Sequence, residues 1–494
     1  MTLFTRKLES SVHTQRPFVK AQHLPVLDGS LSLGDYLKQM GERSALIVAE
    51  ILDEQDWGPF ERHYASTGRA PYSPRSMMGI LLYGIMKGQS SLRALERLAR
   101  LDLGCIWVSQ GITPDHASLG RFIYQHQTVL TGMFFKELTL SVLRRSQSGI
   151  SCLAGDGTVI EAMCSHYHLL TQAAISREKK TLSAAPATGQ TEKRLQQLEQ
   201  GTEVLRRRQE NREKKGKDGS QLRINPTEPD AVVQKLKRGK GFSTAYKPSV
   251  LVNTGRIIVA QTVDPSSETR VMADLLVQNF NLSGYHPDKL LLDAGYFHDA
   301  VMAEAQKYQI PLFCSENSTR QSPRTIYPKS LFIYEAEKDT YLCPAHHSLS
   351  LKSTVAASEK ARGYRVYGSA NCTQCRQKTQ CTRAKGGRKI KRYREDEKRD
   401  ELRLHMANPE SKRILSQRKS RVEPVFSALR GIQGLERFRR RGLSAVKLEF
   451  TLHAMAYNLS RAVALILWMI FSLLLVQITG TEKWERSQLN ALQK

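Results

Sequence analysis

Export, disulfide cross-linking and an acidic surface are all poorly represented in this chain, and each shortage narrows its class. The first twenty residues, MTLFTRKLESSVHTQRPFVK, hold no apolar run of signal-peptide length, so a cytoplasmic protein is expected. Cysteine is sparse, eight scattered through 494 residues, which argues against a disulfide scaffold and leaves reduced thiols or metal ligands. Acidic residues are outnumbered, 47 Asp and Glu against 74 Lys and Arg, for a formal charge of +27. An imbalance of that size attracts a polyanion, with nucleic acid ahead of an acidic membrane surface or an ordinary basic enzyme. One stretch invites a membrane reading, Ala462 to Val476, which is apolar except for Ser472. Its 15 residues span roughly 22 Å as a helix, against a bilayer core of about 30 Å, so a buried or subunit-contacting helix is expected instead.

What is present divides the chain by texture. From Leu31 to Arg145 apolar residues recur at helical spacing, as in Met77, Leu81, Leu82 and Ile85, and a helical N-terminal domain over residues 1–148 is expected. Within it Thr113-Pro114-Asp115-His116 supplies cap chemistry, so a helix should begin near Asp115; a DNA-gripping helix pair and a purely structural bundle are both open. Strand character follows at Ser151 to Ala162, then at Lys247 to Asn253 and Ile257 to Val263, a hairpin turning on Thr254-Gly255-Arg256. A helix over Ser267 to Phe280, a strand over Lys289 to Ala294, a helix near His298 to Tyr308 and a strand over Pro311 to Cys314 complete a mixed α/β sheet with helices packed on it. A basic insert over residues 177–240 interrupts the sheet, and its middle, Glu192 to Glu213, reads as an exposed helix.

Three acids stand out. Asp156, in Leu153-Ala154-Gly155-Asp156-Gly157-Thr158, and Asp293, in Leu290-Leu291-Leu292-Asp293-Ala294-Gly295-Tyr296, each close an apolar strand and are followed by small residues. Asp-Gly is also a common hairpin-turn pair. Glu423 lies on the polar side of Val422, Val425, Phe426 and Leu429, with Pro424 beside it, so a helix is expected to begin or kink there.

These segments resemble the DDE transposases of bacterial insertion sequences. Asp156-Gly157-Thr158 resembles the family's first acid, Asp293-Ala294-Gly295-Tyr296 its second and Val422-Glu423-Pro424-Val425-Phe426 its third. Tyr72 to Phe122, with Leu82-Tyr83-Gly84 and Pro114-Asp115-His116, resembles the N-terminal domain common in the group. The resemblance implies a ribonuclease H-like catalytic domain over residues 149–461, of α+β class, whose three acids hold two Mg²⁺ or Mn²⁺ ions. It implies cleavage and strand transfer on double-stranded DNA, at the element's ends and in a target, by a homodimer in the nucleoid, with no small-molecule substrate. Carboxylates suit that chemistry because Mg²⁺ prefers hard oxygen ligands and a pair of ions stabilises both attacking and leaving oxygens. A non-catalytic DNA-binding remnant and a metal-dependent nuclease of the same fold are the alternatives. The group's Tyr, Arg and Lys around the last Glu correspond here to Ser416, Lys419 and Arg430, so charge is kept and the phenol lost. Arg430, two helical turns past Glu423, is a candidate for a DNA phosphate.

A cysteine-containing insert is expected over residues 320–410. Cys372-Thr373-Gln374-Cys375 has the bite of a zinc knuckle, and Cys343 and Cys381 would complete a closed, structural Cys₄ site; His346 and His347 are substitutes, and free thiols the alternative. The basic run Thr382 to Arg394, including Arg388 and Lys389, and the cluster Arg437, Arg439, Arg440 and Arg441 are expected to meet phosphate. Residues 462–494 form an apolar helix and tail beyond the resemblance.

Overall fold

The computed structural model describes residues 18, 25–26, 31–65, 67, 70–165, 167–214, 216–236, 241–316, 327–358 and 362–479. The export reading of residues 1–17, Lys215 and the ends of both inserts (residues 237–240 and 320–326), and the tail beyond residue 479 lie outside them. The chain forms two compact units, one of Met1–Ile150, Asp156–Tyr285 and Ser420–Lys494, the other of Ser151–Gly155 and His286–Lys419.

In the first unit the N-terminal helices pack around Pro74–Met86, which is buried along nearly its whole length. Its Arg75 pairs with Asp53 at 2.8 Å and donates to the Ala49 carbonyl, so a buried cation is satisfied by a neighbouring helix. The His116–Gln125 helix begins where the cap chemistry says it should: Asp115 accepts from the Ser118 amide at 2.7 Å. The strand Phe242–Val252 is almost wholly buried and takes Ile160–Glu161, Val232–Lys235 and Ile258–Asp264 as antiparallel partners. The expected hairpin is therefore present. Asn253 shapes its turn, accepting from Ile257 N and donating to the Gly149 carbonyl. The strand expected over 151–162 is two strands, Cys152–Gly157 and Ile160–Glu161, because Thr158 leaves the first line to donate to the Pro248 carbonyl. The helix expected from Ser267 starts at Met272, since Asp264 holds a turn there, its Oδ1 accepting from the Ser266 and Ser267 amides.

The basic insert is less exposed than expected. Gln172–Ser183 and Gly189–Glu213 pack on one another around Ile175, Leu198, Leu205 and Ile224. Arg208 turns inward and donates to the Asp230 and Ala231 carbonyls.

Leu443–Thr479 is one helix of 37 residues, long and apolar enough by composition to cross a membrane. The helix is thus longer than its apolar stretch Ala462 to Val476. Its first half is core instead: it packs on Pro74–Met86, Phe135–Arg145 and Ile258–Asp264, and Asn458 bonds both the amide and the carbonyl of Ile258 at 2.8 Å. Beyond Leu465 its apolar side chains Phe471, Leu473 and Leu474 are exposed.

In the second unit, Cys152 to Ala154 pair in parallel with Lys289 to Leu291, which pair in parallel with Leu312–Phe313; the helix Asp299–Lys307 makes the crossover. Five short antiparallel strands follow in sequence order, from Ile333–Glu335 to Ile390–Arg392. They share a small core of Phe332, Tyr341, Leu349, Tyr367 and Ile390. The overall class is mixed α/β with a helical N-terminus and an inserted subdomain.

Candidate active site

Each aspartate sits at the mouth of a parallel strand. Asp156 lies near the end of the strand Cys152–Gly157, two residues past Ala154, the last residue paired with Lys289–Leu291, and Asp293 lies two residues past Leu291, the partner of Ala154. Both side chains are partly exposed. Their orientation is set locally: Asp156 Oδ1 accepts from the Gly157 amide at 2.8 Å, and Asp293 Oδ1 from the Gly295 amide at 2.9 Å. Asp293 thereby caps the short turn Ala294–Tyr296. Behind it the Cys314 thiol donates to the Asp293 carbonyl at 3.0 Å; burial, and then the Asp293 carboxylate, push that thiol up to about 12.

The small residue after Asp156 is required by space. A Cβ on Gly157 would stand 2.8 Å from Glu268 Oε2 and 3.1 Å from Ser249 Oγ. Glu268, which pairs with Lys247 at 3.0 Å, is a neighbour the sequence reading missed; nothing in Ser267-Glu268-Thr269 marks it.

Glu423 is exposed on a helix that runs unbroken from Pro409 to Gly431. The helix does not begin at Glu423, although Pro424 offers no N–H to the Ser420 carbonyl. Val422, Val425, Phe426 and Leu429 are all buried on the other face. Their burial, worth roughly 1.5–3 kcal/mol each, exceeds the cost of about 3 kcal/mol for an interior proline. The last turn of this helix is tied to the segment after Asp156: Arg430 donates to Thr158 Oγ1 and to the Val159 carbonyl. A second tie follows, with Glu161 N donating to the Glu436 carbonyl and Phe438 N to that of Glu161.

The basic residues divide by what they touch. Arg437 donates to the Ala162 and Cys164 carbonyls, and Arg441 to that of Met163. The backbone amides of Arg439 and Arg440 close on the buried Glu449 carboxylate, and burial lowers Arg440. Arg388 turns into the inserted subdomain, donating to the Cys381 and Tyr327 carbonyls and lying over the Phe332 ring. Lys389 and Lys419 are exposed.

Cys343, Cys372, Cys375 and Cys381, all reduced, line one small cavity of the inserted subdomain. Among the described residues no group of three or more His, Cys, Asp or Glu stands ready to hold a metal ion. Asp156, Asp293 and Glu423 each carry the hard oxygen donors that a divalent cation prefers, and a backbone amide fixes one oxygen of each aspartate.

Two family models match the chain. One described as a transposase DDE domain matches residues 342–463, which include Glu423 but neither Asp156 nor Asp293. One described as a transposase domain (DUF772) matches residues 36–125, the helical region with the Asp115 cap. No curated protein matches the sequence.

Proposed function

We propose, starting from a chain that belongs to the DDE transposases of insertion sequences, that Asp156, Asp293 and Glu423 form its catalytic centre for DNA cleavage and strand transfer. The observation that carries the reading is the common register of the two aspartates, each two residues beyond a residue of the same parallel pair, Ala154 and Leu291. The Arg430 tie to residues 158–159 supports Glu423 as the third member, since it anchors that helix next to the Asp156 segment.

Divalent cations held by these carboxylates, Mg²⁺ or Mn²⁺, supply charge stabilisation for the attacking and leaving oxygens of a phosphodiester exchange. The chain's own contribution is orientation. The Gly157 and Gly295 amides fix one oxygen of each aspartate. Lys389 and Lys419, exposed and without carboxylate neighbours at ion-pair distance among the described residues, are the candidates for DNA phosphates. Double-stranded DNA is the partner, held by a homodimer in the nucleoid; Arg388, Arg430 and Arg437 serve the scaffold.

A donor element with its terminal repeats, tested for excision and integration beside Asp156→Ala, Asp293→Ala and Glu423→Ala, examines the reading. Each substitution should abolish both steps while DNA binding persists. Activity surviving any of them removes that acid from the centre. Cleavage without joining in the unaltered protein points to a nuclease, and binding without cleavage to an inactive remnant.

A further inference from the structure

We infer that Cys343, Cys372, Cys375 and Cys381 form a structural zinc(II) site that staples the inserted subdomain. The inference stands apart from the catalytic reading, because it concerns how this subdomain holds together. The sequence supplies four sulfurs in two groups, and the fold brings both groups to one cavity. That cavity has room for about 20 Å³, the space of one water-sized particle, which suits a single ion and excludes an organic ligand.

The backbone around the sulfurs is shaped as a metal knuckle requires. After Cys343 the chain turns back on itself: His346 N donates to the Cys343 carbonyl at 2.8 Å, and Cys343 N to the His347 carbonyl at 3.0 Å. His346 adopts φ +58°, a left-handed conformation uncommon outside Gly and Asn, which brings His347 N to within 3.3 Å of Cys343 Sγ. Across the cavity, Gly387 at φ +88° passes so near Cys372 that a Cβ there would lie 2.4 Å from the Cys372 Cβ. The loop thus closes tightly onto the second cysteine group.

Arg388 supplies an independent pointer. It lines the same cavity, and its Nε is a buried nitrogen without a hydrogen-bond partner among the described residues, while its other nitrogens hold the Cys381 and Tyr327 carbonyls. Four thiolates around Zn²⁺ carry a net charge of −2, and an inward guanidinium with an unused N–H answers that charge. The subdomain also has a need for a staple. Among the described residues its core cluster holds five buried side chains, and Cys343 and Cys381 pack directly on that cluster. Binding exchanges four thiol protons, released to solvent, for one Zn²⁺, with no change of oxidation state. Among the described residues no group of three or more His, Cys, Asp or Glu stands ready for a metal ion, so binding requires the cysteine side chains to move. All four positions are then filled by protein, so the ion holds structure and does no chemistry.

The test uses the full chain, purified without a histidine tag and without added metal, and measures zinc and iron by elemental analysis together with the zinc absorption edge. About one zinc per chain with four sulfur neighbours near 2.3 Å is expected. Cys372→Ser with Cys375→Ser should lower zinc at least about fivefold, whereas Cys152→Ser, outside the cluster, should leave it unchanged. If the double variant fails to fold, the absorption edge of the unaltered protein decides alone. Less than one zinc per several chains, stoichiometric iron, oxygen or nitrogen in place of sulfur, or zinc retained by the double variant overturns the proposal.

Discussion

Gly157→Ala isolates the geometry of Asp156 from the stability of the fold. The new methyl would lie 2.8 Å from Glu268 Oε2, where ordinary contact begins at 3.4 Å, so about 0.6 Å of displacement is needed. Ser249 Oγ, at 3.1 Å on a buried strand, offers little relief on the other side. Glu268 can swing at its far end, which keeps the stability cost near the low end of the roughly 1–3 kcal/mol typical of overpacking. The catalytic cost is steeper. A misplacement of about 1 Å can lower a rate roughly 100-fold, so about 0.6 Å at the residue joined to Asp156 should lower it roughly tenfold. The assay is single-turnover cleavage of a labelled element end, with thermal unfolding in parallel. Gly157→Ala should cleave roughly tenfold slower with a melting temperature within a few degrees of the parent. Glu268→Ala added to it should recover part of the rate, because the nearer obstacle is gone. A single variant that cleaves at the parental rate, or a double variant no faster than the single, would refute the steric argument and weaken Asp156 as a reacting group.

Two further outcomes follow from burial and charge. His453 is fully buried, and desolvation, followed by Arg439, lowers it to about 3 from an ordinary 6.5. Turned to match a neutral imidazole, the Gln433 amide donates to its Nδ1 at 2.8 Å. A histidine kept neutral in the fold contributes stability that is present above pH 6.5 and lost as pH falls toward 3, about 2 kcal/mol between pH 7.5 and 5. Nearby Glu449, raised by burial, has the opposite sign and regains stability as pH falls, so the comparison with His453→Gln is the informative one. Denaturant unfolding at both pH values should show a flatter profile for that variant; identical profiles would exclude His453 as the source. For DNA binding, Lys389→Gln and Lys419→Gln should each reduce the slope of log affinity against log salt by about 1, whereas Arg388→Gln should lower the stability of the inserted subdomain and leave the slope unchanged. A slope altered by Arg388→Gln would return that residue to the DNA surface.

Local chemistry was legible in the sequence wherever neighbours along the chain decide it. The Asp115 cap, the 253–257 hairpin turn, the strand that carries Asp156 and the one that ends just before Asp293 are of this kind. Contacts made by distant residues were not legible. Arg388 stands in a run of seven basic residues and reads as a phosphate contact, and nothing along the chain signals its bonds to the carbonyls at 327 and 381. Pro424 reads as a helix start because the sequence does not reveal that four apolar neighbours are buried together on one face. The Leu443–Thr479 helix was judged on its apolar half alone, while the half that anchors it carries Glu449, His453 and Asn458 and does not read as apolar.

The arginines around the acids point to a division of labour that sequence charge conceals. Arg430, Arg437 and Arg441 all donate to carbonyls or hydroxyls between residues 158 and 164, on either side of the two-residue strand Ile160–Glu161. Unpaired carbonyls there would cost about 1–3 kcal/mol each if buried, and guanidinium groups, with five donors on a planar fork, satisfy several at once. The same cations add positive charge to that stretch. Backbone anchoring and attraction of a polyanion are therefore compatible roles for one cluster, with the exposed lysines free to follow the DNA while the arginines keep the Glu423 helix fixed to the strand that carries Asp156.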